Sequence, residues 1–68
     1  MNIQDLINFF DLQGMYHIKT WDYKNDDSIT LAKGEDLELE KWDISEEVLN
    51  RDITYMYAID GVLHIEVE

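Results

Sequence analysis

The residues able to act as acids, bases or ligands are densest in one stretch. From Glu35 to Glu47 the chain reads E-D-L-E-L-E-K-W-D-I-S-E-E, with seven acids among thirteen residues and Lys41 as the only cation. Carboxylates bind hard cations through oxygen. They act as acid–base pairs when two of them flank a cleft. They also accept bidentate hydrogen bonds from Arg, much as phosphates do. The spacing selects among these chemistries. Leu37 and Leu39 alternate with Asp36, Glu38 and Glu40, which is the period of a strand with one buried face. Side chains on one strand face project in parallel, so these three carboxylates do not converge on an ion. They recur instead about every 6.6 Å, a pitch comparable to the gap between successive phosphates along a nucleic-acid strand. A rigid row of this kind would occupy Lys/Arg sites that otherwise hold phosphate. Asp43, Glu46 and Glu47 would extend the row, and Asp26 and Asp27 would widen its field if the first hairpin lies alongside. Trp42, beside the row, has the character of an apolar interface anchor.

Other chemistry finds less support. Asn25-Asp26-Asp27 is rich in oxygen but lacks the Gly and distal Glu of a calcium-binding loop. His17 and His64 are isolated, without the spacing of a paired metal site, and read as ordinary strand residues. Ser28 and Ser45 sit in turn and cap contexts, and there is neither a G-x-S-x-G elbow nor a Gly-rich phosphate loop. No catalytic residue, metal or cofactor is therefore expected. The aromatics Trp21, Tyr23, Trp42, Tyr55 and Tyr57 would suit base stacking only beside a positive groove. Here the surroundings are negative, which favours core and interface roles.

Composition narrows the classes further. A chain of 68 residues makes one domain, 1–68. With 46% hydrophobic residues it folds despite a net charge of −11, from sixteen acids against five cations. That charge disfavours direct binding of nucleic acid and of anionic membranes, and favours a basic protein partner. The absence of Cys fits a cytoplasmic setting. The N-terminus has no basic segment of the signal-peptide type, and no apolar run nears the roughly 20 residues of a membrane span.

The elements that must hold the acidic stretch follow from periodicity. Asn2 caps a helix over 3–12, with Ile3, Leu6, Ile7 and Phe10 on one stripe and Gly14 just past its end. Met15–Tyr23 and Ser28–Lys33 read as strands joined by a three-residue turn, 25–27. That turn would set Tyr23 opposite Ile29 and Trp21 opposite Leu31. The acidic strand 36–42 follows, with a bulge or strand end near Lys41. Ser45 caps a short helix over 46–51. Asp60-Gly61 is a strong two-residue hairpin signal between Ile53–Ile59 and Val62–Val67. It pairs Ile59 with Val62, Ala58 with Leu63, Tyr57 with His64, Met56 with Ile65 and Tyr55 with Glu66. The expected architecture is α+β: an N-terminal helix packed on a single antiparallel sheet of about five strands, with a short helix before a C-terminal β-hairpin.

A compact, cysteine-free, strongly acidic α+β domain of this size resembles phage-encoded inhibitors that mimic DNA, among them Cas9-blocking anti-CRISPR proteins and uracil-DNA glycosylase inhibitors. The opening Met1-Asn2-Ile3-Gln4-Asp5-Leu6-Ile7 is similar to the start of one Cas9-blocking family, in which a helix precedes a small antiparallel sheet. The resemblance covers those seven residues and carries over no binding residue by motif. It implies occlusion of a basic DNA-binding groove, such as the cleft that reads the protospacer-adjacent motif. The expectation is thus a non-catalytic inhibitor of a nucleic-acid-binding protein. Two alternatives stand beside it: an immunity protein or antitoxin that neutralises a basic toxin, and a small assembly protein that forms a homodimer through its Tyr55/Tyr57 face.

Overall fold

The computed structural model describes all 68 residues, Met1–Glu68. The fold is α+β. Helix α1 (Ile3–Phe9) precedes strands β1 (Tyr16–Asp22) and β2 (Asp27–Gly34). A crossover follows, built from a helical turn α2 (Leu37–Glu40), a 3-10 turn (Lys41–Asp43) and a second short helix α3 (Glu46–Leu49). Strands β3 (Ile53–Ile59) and β4 (Val62–Val67) complete the chain. The sheet has four strands in the order β2-β1-β4-β3. Two antiparallel hairpins meet at its centre, where β1 and β4 run parallel. It is therefore a mixed sheet of four strands, not an antiparallel one of about five. Parallel neighbours need a long crossover rather than a tight turn, and residues 35–52 with the β3 strand provide it. No helix is long and apolar enough to cross a membrane.

The missing strand is the acidic one. Residues 37–40 form a helical turn because the local caps and the available partners favour it. Asp36 accepts a hydrogen bond from the Glu38 N–H (3.1 Å), as an N-cap does. The Leu37 and Glu38 N–H groups donate to the Gly14 and Leu12 carbonyls (3.1 and 3.0 Å), docking the turn on the segment between α1 and β1. Leu and Glu are good helix formers, and Glu is a poor strand former. Leu37 is buried and Leu39 is 78% exposed, so the two leucines do not share a face. The break near Lys41 is the passage into the 3-10 turn, not a bulge.

The N-terminal helix is shorter than its apolar stripe. Asn2 and Asp5 form a reciprocal capping box (2.8 and 3.2 Å). Ile3, Leu6 and Ile7 are buried, but the helix ends at Phe9, Phe10 is extended, and both phenylalanines are exposed. Gly14, with φ +104°, serves a later bend instead of the helix end.

The first hairpin turns earlier and more widely than expected. Asp22 pairs with Asp27, Trp21 with Ser28 and Thr20 with Ile29, leaving a four-residue loop, 23–26. Asp22 fixes this loop by accepting from the Lys24 N–H (3.0 Å) and the Asn25 Nδ2 (2.6 Å), while Asp26 takes a left-handed φ of 52°. A bulge opposite Ile18/Lys19 then lets Leu31 and Ala32 both pack against the core. The second hairpin has the expected register from Ile59–Val62 to Tyr55–Glu66, with Asp60 and Gly61 at φ 52° and 77°.

All helical segments cover one sheet face. Ile18 and Ile65, adjacent across the parallel pair, are fully buried there with Ile3 from α1. Leu37, Ile44, Val48 and Leu49 of the crossover join the same core. Ser45 caps α3 as its type suggests, accepting from the Val48 N–H (3.4 Å).

Candidate functional site

The crossover carries most of the acidic residues singled out in the sequence, and its geometry divides them. Asp36 and Glu40 are committed to the fold. The Glu40 carboxylate accepts from the Glu35 and Asp36 N–H groups through Oε2 (3.1 and 3.0 Å), and from the Tyr16 hydroxyl through Oε1 (3.3 Å). Tyr16 is 4% exposed. Burial, then the Glu40 charge and hydrogen bond, raise its hydroxyl above the usual value of 10.0. Gly34 makes room for this junction. A Cβ there would lie 2.8 Å from the Tyr16 ring and overlap the Glu40 carboxylate. Glu38 pairs with Lys41 (2.6 Å), and Glu47 holds Arg51 through two nitrogens (2.9 and 2.6 Å). Asp43 and Glu46 are exposed and make no side-chain hydrogen bond.

The carboxylates thus do not form a row at strand pitch. They surround a helical crossover that also exposes two large apolar side chains. Trp42 is 80% exposed and Leu39 78%, three residues apart on consecutive helical turns. Lys41 reaches over the Trp42 ring, 5.4 Å from its centroid, while bound to Glu38. Trp42 therefore has one cation at its side and free acids at Asp43 and Glu46 just beyond it in the chain.

Asp26 and Asp27 lie elsewhere. They sit at the tip of the β1–β2 hairpin, at the opposite end from Gly34 and Glu40, about 20 Å away for strands of this length. Asp27 caps its own strand through the Ser28 N–H (2.8 Å). These two residues do not belong to the crossover surface.

The uncovered face of the sheet gathers a group that the sequence did not single out. His17 and His64 are directly opposed across the parallel pair, with rings 5.6 Å apart. Tyr57 stacks on His64 at 4.9 Å and nearly parallel. Lys19 donates to the Tyr57 hydroxyl (2.8 Å) and lies 3.5 Å from His64 Nδ1. His17 Nε2 meets Thr30 Oγ1 at 2.7 Å. Burial, then the charges of Lys19, His64 and Lys33, hold the His17 ring below its usual 6.5. Two of the five cations and both histidines thus share one face of an acidic molecule. Each hairpin contributes one half, Tyr57 with His64 and His17 with Lys33, but only the parallel pairing joins the two, and no local sequence signal marks it.

Two shallow concavities flank these features. One, about 430 Å³, lies beside His17, His64, Lys33 and Gly34; the other, about 640 Å³, lies beside Trp21, Tyr23 and Glu66. No three His, Cys or carboxylate groups converge as a metal site would require.

No protein-family model matches the chain, and searches of curated proteins and of solved structures likewise return no match.

Proposed function

We propose that the chain is a non-catalytic inhibitor or interaction module that docks through its 36–47 crossover on the basic surface of a nucleic-acid-binding protein. The observation that carries this reading is the exposure of Trp42 and Leu39 on a rigidly docked, acid-rich segment. A Trp left four-fifths in water gains about 2 kcal/mol or more when it fills a partner's pocket. Net charge −11 speeds encounter with a basic surface and makes binding sensitive to salt. Asp43, Glu46, Glu47 and Glu38 supply the local charge, while Asp36 and Glu40 hold the segment in shape. Competition with DNA then arises from occlusion and charge, not from a phosphate-spaced ladder.

A guide-loaded Cas nuclease is the first partner to examine, given the resemblance of Met1–Ile7; a basic toxin nuclease would present the same chemistry. Affinity capture from the native cell, with wild-type and Trp42→Ala baits compared by mass spectrometry, tests the reading. The wild type should enrich a basic nucleic-acid-binding protein, and Trp42→Ala should weaken that interaction about 30-fold. The Asp43→Lys/Glu46→Lys double variant should weaken it further at low salt than at high salt. Equal capture by wild type and Trp42→Ala, or partners without basic surfaces, would overturn the proposal.

A further inference from the structure

Strand β3 is an edge strand with unusual chemistry for this chain. Ile53–Ile59 reads I-T-Y-M-Y-A-I, seven residues without a charge, Pro or Gly, in a chain that is 31% charged. Edge strands present unpaired N–H and C=O groups and are ordinarily guarded by charges, bulges or a covering segment. The other edge, β2, has both a bulge and charged residues at Asp27 and Lys33. The start of β3 is covered as well. Asn2 bridges Asp52, and the Ile53 N–H donates to the Met1 carbonyl (2.8 Å). A register shift between Ile53 and Tyr55 follows. What remains open is Tyr55–Ile59, a regular stretch with Tyr55 63% exposed and Met56 and Ile59 also exposed.

The hairpin register fixes which backbone groups are free. Ile59 and Val62 close a two-residue loop, so Ile59, Tyr57 and Tyr55 exchange hydrogen bonds with β4. Met56 and Ala58 therefore point their N–H and C=O groups outward. Water satisfies these groups in the free molecule, and another extended strand matches their spacing.

We propose that this edge pairs antiparallel with the same segment of a second copy, about a twofold axis at Tyr57, to make one continuous eight-stranded sheet. Centring on Tyr57 uses the regular stretch alone: Met56 faces Ala58 of the second copy, and Tyr55 faces its Ile59. Asp60 then lies opposite Thr54, not opposite another acid, so no like charges meet directly across the junction. An uncharged segment is also where two molecules of charge −11 approach with least local repulsion. The remaining repulsion is long-range and is screened by salt, whereas the strand hydrogen bonds are not. Dimerisation therefore strengthens with salt, opposite to the docking proposed for the crossover, so either can fail without the other.

Sedimentation velocity on the full chain at about 0.05 M and about 0.5 M salt tests this, with a dissociation constant at least about tenfold lower in the higher salt. Ala58→Pro removes an outward N–H without touching the β4 ladder and should be monomeric in both. Hydrogen exchange on the wild type gives a readout independent of any variant's folding. The Met56 and Ala58 amides should be protected at roughly 100 μM in high salt and lose that protection on dilution, while the Tyr57 amide keeps it. A monomer at that concentration and salt, or Met56 and Ala58 amides whose exchange is independent of concentration, would overturn the proposal.

Discussion

Glu40→Ala should destabilise the domain far more than a surface acid normally does. The side chain accepts three hydrogen bonds, from the Glu35 and Asp36 N–H groups and from the Tyr16 hydroxyl. Tyr16 is buried, and leaving a buried donor unsatisfied costs about 1–3 kcal/mol. The two N–H groups are nearer solvent, and losing a capping acceptor for them costs roughly 1 kcal/mol. The sum is about 2–4 kcal/mol. A chain of 68 residues has total stability of about 3–10 kcal/mol, so this is a large fraction. At roughly 4–8 °C per kcal/mol for a small domain, the thermal midpoint should fall by about 8–30 °C, read by far-ultraviolet circular dichroism at neutral pH. Glu40→Gln keeps one acceptor oxygen and should recover about half the loss. The Tyr16 hydroxyl, raised by burial and by the Glu40 charge, should ionise at lower pH in both variants. If Glu40→Ala unfolds within about 2 °C of wild type, the carboxylate does not fix the crossover, and its assignment to the fold instead of to a partner fails.

Other perturbations probe the same framework. Gly34→Ala should destabilise through its contacts with Glu40 and the Tyr16 ring. It should cost at least about 1 kcal/mol less in the Glu40→Ala background, since the two sites share a contact; additive effects would disprove the coupling. The burial that dominates the depressed His17 value, with help from Lys19, His64 and Lys33, predicts a pH dependence. The unfolded chain takes up this proton first as pH drops below 6.5, so the stability present above that value is lost as pH falls through the lower folded value. Denaturant midpoints between about pH 7 and pH 5 should show it, and His17→Gln should flatten that part of the curve. Trp42→Ala and Leu39→Ser, both at highly exposed side chains, should each change stability by no more than about 0.5 kcal/mol, measured by urea titration.

Local chemistry made parts of this fold legible in the sequence. Asp60-Gly61 specified the second hairpin and its register, and Asn2 and Ser45 marked two helix starts, because each of these signals acts within a few residues. In the acidic stretch Leu37 and Leu39 have the spacing of a strand, while Leu and Glu also favour a helical turn. The choice is made by contacts from far along the chain, Tyr16 with Glu40 and the Gly14 and Leu12 carbonyls with Leu37 and Glu38. In the first hairpin the pairing of large apolar residues suggests a three-residue turn, whereas the hydrogen bonds that Asp22 accepts from Lys24 and Asn25 impose a four-residue one. Trp42 could be picked out by type and neighbourhood, but Leu39 as its exposed companion required the helical turn. The His17–His64–Tyr57 group required the parallel pairing of β1 and β4, for which two separated strands carry no sequence mark.

The proposed docking places the Trp42 surface against a basic nucleic-acid-binding protein. Photo-crosslinking in the native cell from a benzophenone amino acid placed at position 42 tests it most directly. One dominant adduct to such a protein should form, suppressed by Asp43→Lys/Glu46→Lys and by competing duplex DNA added to a lysate. An adduct that persists under both treatments, or one to a protein without a basic surface, would contradict it.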